Sequence, residues 1–109
     1  MKSNVIQVQK WNRPQLPTEE VVEQLLLEEG LSPERWVGEP GQIFQASQRD
    51  YSTVIFVVSG FITFGFPIVG DPTILRSGDR LDLPAGILHN AVVGQDGVIC
   101  LEAHKEINK

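Results

Sequence analysis

An all-β sandwich or barrel is the fold this sequence predicts, and two observations carry it. From Gln42 onward, apolar runs are cut at regular intervals by turn-forming groups: Gly60, Gly70-Asp71-Pro72, Ser77-Gly78-Asp79, Pro84-Ala85-Gly86 and Gly94-Gln95-Asp96-Gly97. Breaks roughly eight to twelve residues apart are the mark of short strands joined by tight turns. Over the same region no segment of helical period is long enough to cross between parallel strands, which argues against an α/β sheet.

Length and charge narrow the class. A chain of 109 residues suits one domain with a core of ordinary proportions. Its 41% hydrophobic and 21% charged content is that of a globular protein, so the chain should fold throughout, apart from its ends. The net charge of -5 has the wrong sign for binding a phosphate backbone, and no nucleic-acid partner is expected. Cys100 is the single cysteine and cannot form an internal disulfide, while residues 1–5 lack the apolar core of a signal peptide. The expected location is cytoplasmic. Residues 51–70 carry no charge and are about long enough to span a bilayer as a helix. Ser59-Gly60, Gly65 and Pro67 break such a helix, and Val54, Ile55, Phe56, Val57 and Val58 favour strand. The reading is two buried strands joined at Ser59-Gly60, with no membrane partner.

Before the strand-rich region, Val5 to Val8 alternate as a short strand at a sheet edge. Pro14 to Pro17 form a rigid connector. Thr18 is a good helix N-cap, Glu19 and Glu20 suit the positive end of the helix dipole, and Val21, Val22, Leu25 and Leu26 make one apolar stripe. Gly30 ends the helix. Leu27 falls on its acidic face, as an isolated exposed leucine. Ser32-Pro33 sets a short capped turn leading into Trp36. Residues 1–40 are thus read as a strand and helix packed on a barrel of residues 41–109, the whole being one domain.

The segment Gly78-Asp79-Arg80-Leu81-Asp82-Leu83-Pro84-Ala85-Gly86-Ile87-Leu88-His89 has the spacing of a known motif. Gly78, Pro84, Gly86 and His89 stand where the second motif of the cupins has them, although Val93 replaces the asparagine that often ends it. The chain resembles a small single-domain cupin of the RmlC-like jelly-roll superfamily over about Gly41 to His104. That resemblance implies a double-stranded β-helix, two antiparallel sheets closing around a pocket, with a short N-terminal helix.

The first cupin motif is present in spacing alone. Gly41 and Gly60 frame it, and the positions that hold metal ligands in the family fall on Ser47, Arg49 and Thr53. These share strand parity, and with Ile55 and Val57 they should face one side. Hydroxyls are poor ligands for divalent transition metals. A guanidinium about 4 Å from a dication, at an effective dielectric of about 20, repels it by about 8 kcal/mol. Neither a metal nor any other cofactor is expected. A nonstandard metal site of His89 with Cys100, Glu102 and His104 is the alternative, since the last three alternate along one strand. Against it, Ile99, Leu101 and Ala103 are the apolar set, which would send Glu102 and His104 to solvent and leave Cys100 an inert small hydrophobe.

Ser47, Arg49, Thr53 and His89 are accordingly the ligand-binding candidates, and His89 and Tyr51 the catalytic ones. Imidazoles titrate near neutral pH and suit proton transfer. The resemblance extends to metal-independent sugar epimerases, where a tyrosine such as Tyr51 would be the second acid. His89 could equally be a hydrogen-bonded, inert residue. Three functions follow: a metal-free module binding a small polar or anionic molecule through Arg49 and His89; an isomerase, epimerase or nonstandard metal enzyme; and an interaction protein with a vestigial pocket. If Arg49 instead plays a structural part, it pairs with Asp50, Asp82 or Glu102. Val54, Phe56 and Val58, followed by Ile62, Phe64 and Phe66, exceed what one pocket needs, so a homodimer is expected.

Overall fold

The computed structural model describes residues 5–105. In chain order these form β1 (Gln7–Gln9), α1 (Glu19–Glu28), β2 (Glu34–Gly38), β3 (Ile43–Ser47), β4 (Ser52–Gly65), β5 (Thr73–Arg76), β6 (Arg80–Leu83) and β7 (His89–Lys105). Every strand pairing is antiparallel, and β4 pairs with β7 along nearly its whole length. Both long strands pass through two layers. The first half of β4 and the second half of β7 lie in one layer, ordered β1-β6-β4-β7-β2. Their other halves lie in a second layer, flanked by β5 on the β4 side and β3 on the β7 side.

The expected break at Ser59-Gly60 is therefore a bend inside one strand, and Gly94 to Gly97 lies inside β7 where a turn was expected. Register between β4 and β7 shifts between Val57 and Ser59 and again between Gly60 and Ile62, with residues 94–97 left over on β7 as a bulge. A bulge uses the same turn-forming residues as a reversal, but the chain keeps its direction and changes layer. Strand β2 was also unforeseen: its Trp36 lies opposite Cys100 on β7, which gives it a buried face that a capped turn would not have.

Between the layers Ile55, Val57, Ile62, Phe64, Phe66, Leu75, Leu81, Leu83, Ala91, Val93, Val98 and Cys100 form the main core. A second cluster lies on the outer side of the first layer, where Val22 and Leu26 of α1 cover Val54, Phe56 and Leu101. The helix starts as its sequence predicts, with the Thr18 hydroxyl accepting from the Val21 N–H at 3.3 Å. It ends in a left-handed Gly30, and Leu27 is exposed. Arg80 of β6 pins its C-terminal end, pairing with Glu29 and with Asp82 while lying 5.7 Å from the Phe56 ring centre. The hydrogen bond that Arg80 donates to Glu29 raises the Arg80 pKa against the opposing effect of burial, and Asp82 adds to the rise.

The apolar surplus that motivated a homodimer is absorbed within the chain. Val54 and Phe56 lie under the helix, and Ile62, Phe64 and Phe66 are in the inter-layer core. Exposed apolar residues lie instead on the outer side of the second layer, where Ile43, Val92, Thr63 and Ile74 are successive cross-strand neighbours.

The bend at Gly60 gives a direct test of this architecture. Its φ is +77°, and a Cβ there would lie 2.0 Å from the Gly97 carbonyl oxygen. Gly60→Ala should destabilise the fold by roughly 3 kcal/mol in chemical denaturation, combining an unfavourable backbone conformation with a backbone clash. A loss below about 0.5 kcal/mol, the scale of a neutral surface change, would show that the bend is not a fixed hinge of the sheet.

Candidate functional site

The two layers part where β2 ends one and β3 ends the other. Each of these strands pairs only with β7, and between them a cavity of about 440 Å³ opens. Trp36 of β2 and Phe44 of β3 meet edge to face across the gap with ring centres 5.9 Å apart. Ile55, Ile62, Phe64 and Ala91 add to the apolar lining, and Ser47, Arg49, His89 and Glu102 join the amides Gln42, Gln45 and Asn90 in the polar lining.

His89 opens β7 opposite Ser47 and is 8% exposed. Its Nδ1 lies 2.9 Å from the Ile87 carbonyl oxygen, which can only accept, so Nδ1 carries the proton and Nε2 of the neutral ring is an acceptor. Arg49 lies on the connection between β3 and β4. Its carbonyl accepts from the Gly86 N–H at 2.7 Å, so the Pro84-Ala85-Gly86 corner holds the backbone that carries the guanidinium. A second tie runs from the Ala85 N–H to the Ser52 hydroxyl at 3.3 Å.

The Arg49 side chain pairs with Glu102 at the wall. Burial opposes its charge, but the hydrogen bond and attraction of Glu102, with a smaller part from Tyr51, leave the Arg49 pKa above its ordinary value. The expected solvent position of Glu102 is thus corrected. β7 is covered on both sides, by α1 over Leu101 and by the inter-layer core over Cys100, so alternation gave no unique inward face. Glu102 follows Cys100 inward and Leu101 is buried under the helix, while His104 at the strand end is exposed.

Thr53 and Tyr51 are not brought into the wall. Thr53 faces inward with Ile55 and Val57 as its parity predicts and is 1% exposed, but its hydroxyl has no partner among the described residues and does not line the cavity. Tyr51 stacks on His104 with ring centres 4.1 Å apart and does not line the cavity, and the Arg49 guanidinium lies 5.8 Å from its ring centre. The shared parity of positions 47, 49, 51 and 53 fails because residues 48–51 are not strand. Trp36, Phe44 and Glu102 join the site. Glu102 was legible only as a partner for Arg49 or as a ligand of the alternative metal site, and nothing in the sequence singled out Phe44.

These residues do not fit the divalent metal that the expected fold commonly holds. Among the described residues no group of three or more His, Cys, Asp or Glu side chains could hold a metal ion. The carboxylate nearest the expected ligand slots is already neutralised by a guanidinium. Cys100 and His104, which the alternative nonstandard site would need, are respectively sealed in the core and stacked on Tyr51.

No family model matches the sequence, and no curated protein matches it. Solved structures do. A DUF861 family protein from Thermotoga maritima aligns over 93% of this chain and 100% of its own at a TM-score of 0.66, with 18% identity. A cupin superfamily protein from Desulfitobacterium hafniense aligns over 95% and 80%, respectively, at 0.60 with 12% identity. This chain is a cupin by fold. A third structure, from Ralstonia eutropha and provisionally named a mannose-6-phosphate isomerase, aligns over 72% of this chain and 77% of its own at 0.60 with 25% identity. The motif glycines of this cupin do what the family spacing implies: Gly41, Gly60, Gly78 and Gly86 all have left-handed backbone conformations. Among the described residues no helix is long and apolar enough to cross a membrane.

Burial, with a smaller contribution from the Glu102 charge, pushes the Cys100 thiol up to about 12 from 9.0. The unfolded chain ionises this thiol above about pH 9 and the folded chain does not until about pH 12. Its contribution to stability is therefore whole below pH 9 and falls as pH rises through that window, by about 1.4 kcal/mol per unit at most. Denaturation midpoints measured from pH 8 to 11 should fall more steeply for the wild type than for Cys100→Ala, and parallel profiles would contradict this.

Proposed function

We propose that this cupin binds a small polar or anionic molecule in the cavity between its layers, without a metal. The observation that carries the reading is the convergence of Arg49, His89, Glu102 and Ser47 on a cavity of about 440 Å³ that aromatic and aliphatic side chains also line. Such a cavity is of the size and mixed character of small-molecule sites. Arg49 offers a planar fork of donors to a carboxylate or phosphate, and its pairing with Glu102 leaves it on the wall.

A screen of carboxylates, sugar phosphates, sugars and amino acids should contain a compound that raises the melting temperature of the wild type. Ser47→Trp, which fills the cavity from exposed strand β3, should abolish that shift. A shift that survives Ser47→Trp, or no shift across the screen, would count against the reading. Elemental analysis of protein expressed without chelator should find far less than one metal ion per chain. Near-stoichiometric zinc, iron, manganese or nickel that is lost in His89→Ala would overturn the metal-free part.

A second reading, an isomerase-type enzyme with His89 as the base, is supported by one feature of the site. His89 lines the cavity, and its Nδ1 bond to Ile87 fixes the tautomer in which Nε2 of the neutral ring is the acceptor that a general base needs. The provisional name of the Ralstonia structure is an analogy in its favour. The partner acid would not be Tyr51, which stands outside the wall. A ligand found in the screen should then be interconverted by the wild type and left unchanged by His89→Gln.

A further inference from the structure

We infer that the ligand is a zwitterion, a molecule carrying a carboxylate and a protonated amine on one frame with an apolar remainder, of the kind an α-amino acid presents. This rests on the proposed binding role of the cavity and specifies what it binds.

The charge pattern of the wall is the starting point. Among the lining residues Arg49 is the cation and Glu102 the anion, and they are paired to each other with side chains 37% and 13% exposed. A ligand bearing only a carboxylate that draws Arg49 away strands the more buried Glu102 without a counter-charge, and one bearing only an amine strands Arg49. Leaving one member of a desolvated pair alone is the costly outcome. A zwitterion replaces both halves of the pair at once. Its carboxylate meets the guanidinium in the fork geometry that Arg favours, and its amine meets the carboxylate.

Two further observations place the amine. The cross-strand neighbour of Glu102 is Glu34 of β2, a second carboxylate on the same side of the sheet just outside the cavity lining, so the Glu102 end of the pair is the more negative one. His89 also lines the cavity, and because Nδ1 donates to the Ile87 carbonyl its remaining ring nitrogen in the neutral form is an acceptor, so an ammonium has donors for both groups. A simple anion has none. The chain's net charge of -5 opposes anions further. Trp36, Phe44, Phe64, Ile55 and Ile62 remain for the apolar part of the ligand.

The test is a matched series binding to the intact protein by calorimetry: phenylalanine and leucine, each with its carboxylate-only and amine-only analogue, together with glucose and inorganic phosphate. At least one amino acid should bind tenfold or more tightly than both of its single-charge analogues, and Ser47→Trp should remove that binding. Glu102→Gln, which keeps the shape and drops the charge, should erase the preference by weakening the amino acid and strengthening the carboxylate-only analogue. If Glu102→Gln does not fold by circular dichroism, the wild-type ranking alone decides. Tighter binding of phosphate, of glucose or of a carboxylate-only analogue, still lost in Ser47→Trp, would overturn the zwitterion while leaving the cavity's binding role standing. No binding by any amino acid would overturn it as well, and a compound found in the wider screen of the previous section would then show that the cavity role survives it.

Discussion

The pairing of β4 with β7 is the constraint on which the rest of the structure depends. These two strands are long enough to run through both layers, and each layer is built by adding shorter strands to the outer sides of this central pair. A double layer made this way has one core by construction, because the same two strands line it on both sides. It also requires both strands to bend at the same level. Gly60 and Gly97 meet there at a distance that admits no side chain, so the bend is set by backbone packing against backbone.

The site follows from that geometry. The layers diverge from the bend, and the cavity opens at the edge where β2 and β3 have no further strand to pair with. His89 enters at the start of β7, Glu102 near its end, and Arg49 from the connection that leads into β4. The Pro84-Ala85-Gly86 corner, whose sequence carries the family resemblance, holds the Arg49 backbone through Gly86. The corner that precedes His89 therefore also positions Arg49. Glu102 faces the guanidinium of Arg49, a covalently attached cation. A fixed cation of this kind can orient a carboxylate but has no open coordination positions with which to act as a Lewis acid.

The first layer has its own covering on the outside. Helix α1 buries Val54, Phe56 and Leu101, and Arg80 joins the helix end to β6 through Glu29 and Asp82. The second half of β7 is covered on both faces, one by helix and one by the opposite layer, and there Val98 to Leu101 form a continuous apolar run. The same double covering places part of the apolar excess that suggested a second chain inside this one.

The fold and the positions of its corners were legible from the sequence because they depend on local chemistry. Glycines at fixed spacing mark left-handed corners, Thr18 and the acids after it mark a helix start, and β-branched runs mark strands, each a preference of the residue itself. The chemistry at the expected ligand slots was legible for the same reason, since Ser47, Arg49 and Thr53 are unsuited as metal ligands wherever they point. Which of these residues share a wall was not. Thr53 and Tyr51 were placed with Ser47 and Arg49 by a period of two, and that period holds only within a strand, whereas residues 48–51 connect two strands. Glu102 was assigned to solvent because alternation identifies an inward face only when the other face is wet, and here neither is. Bend and reversal at Ser59-Gly60 and at Gly94 to Gly97 use the same residue types, so only the register of β4 against β7 decided between them. Residue identity set the local conformations and the chemistry available, and the long-range pairing of two bent strands decided which side chains meet, because that meeting depends on residues far apart in the chain that no local preference connects.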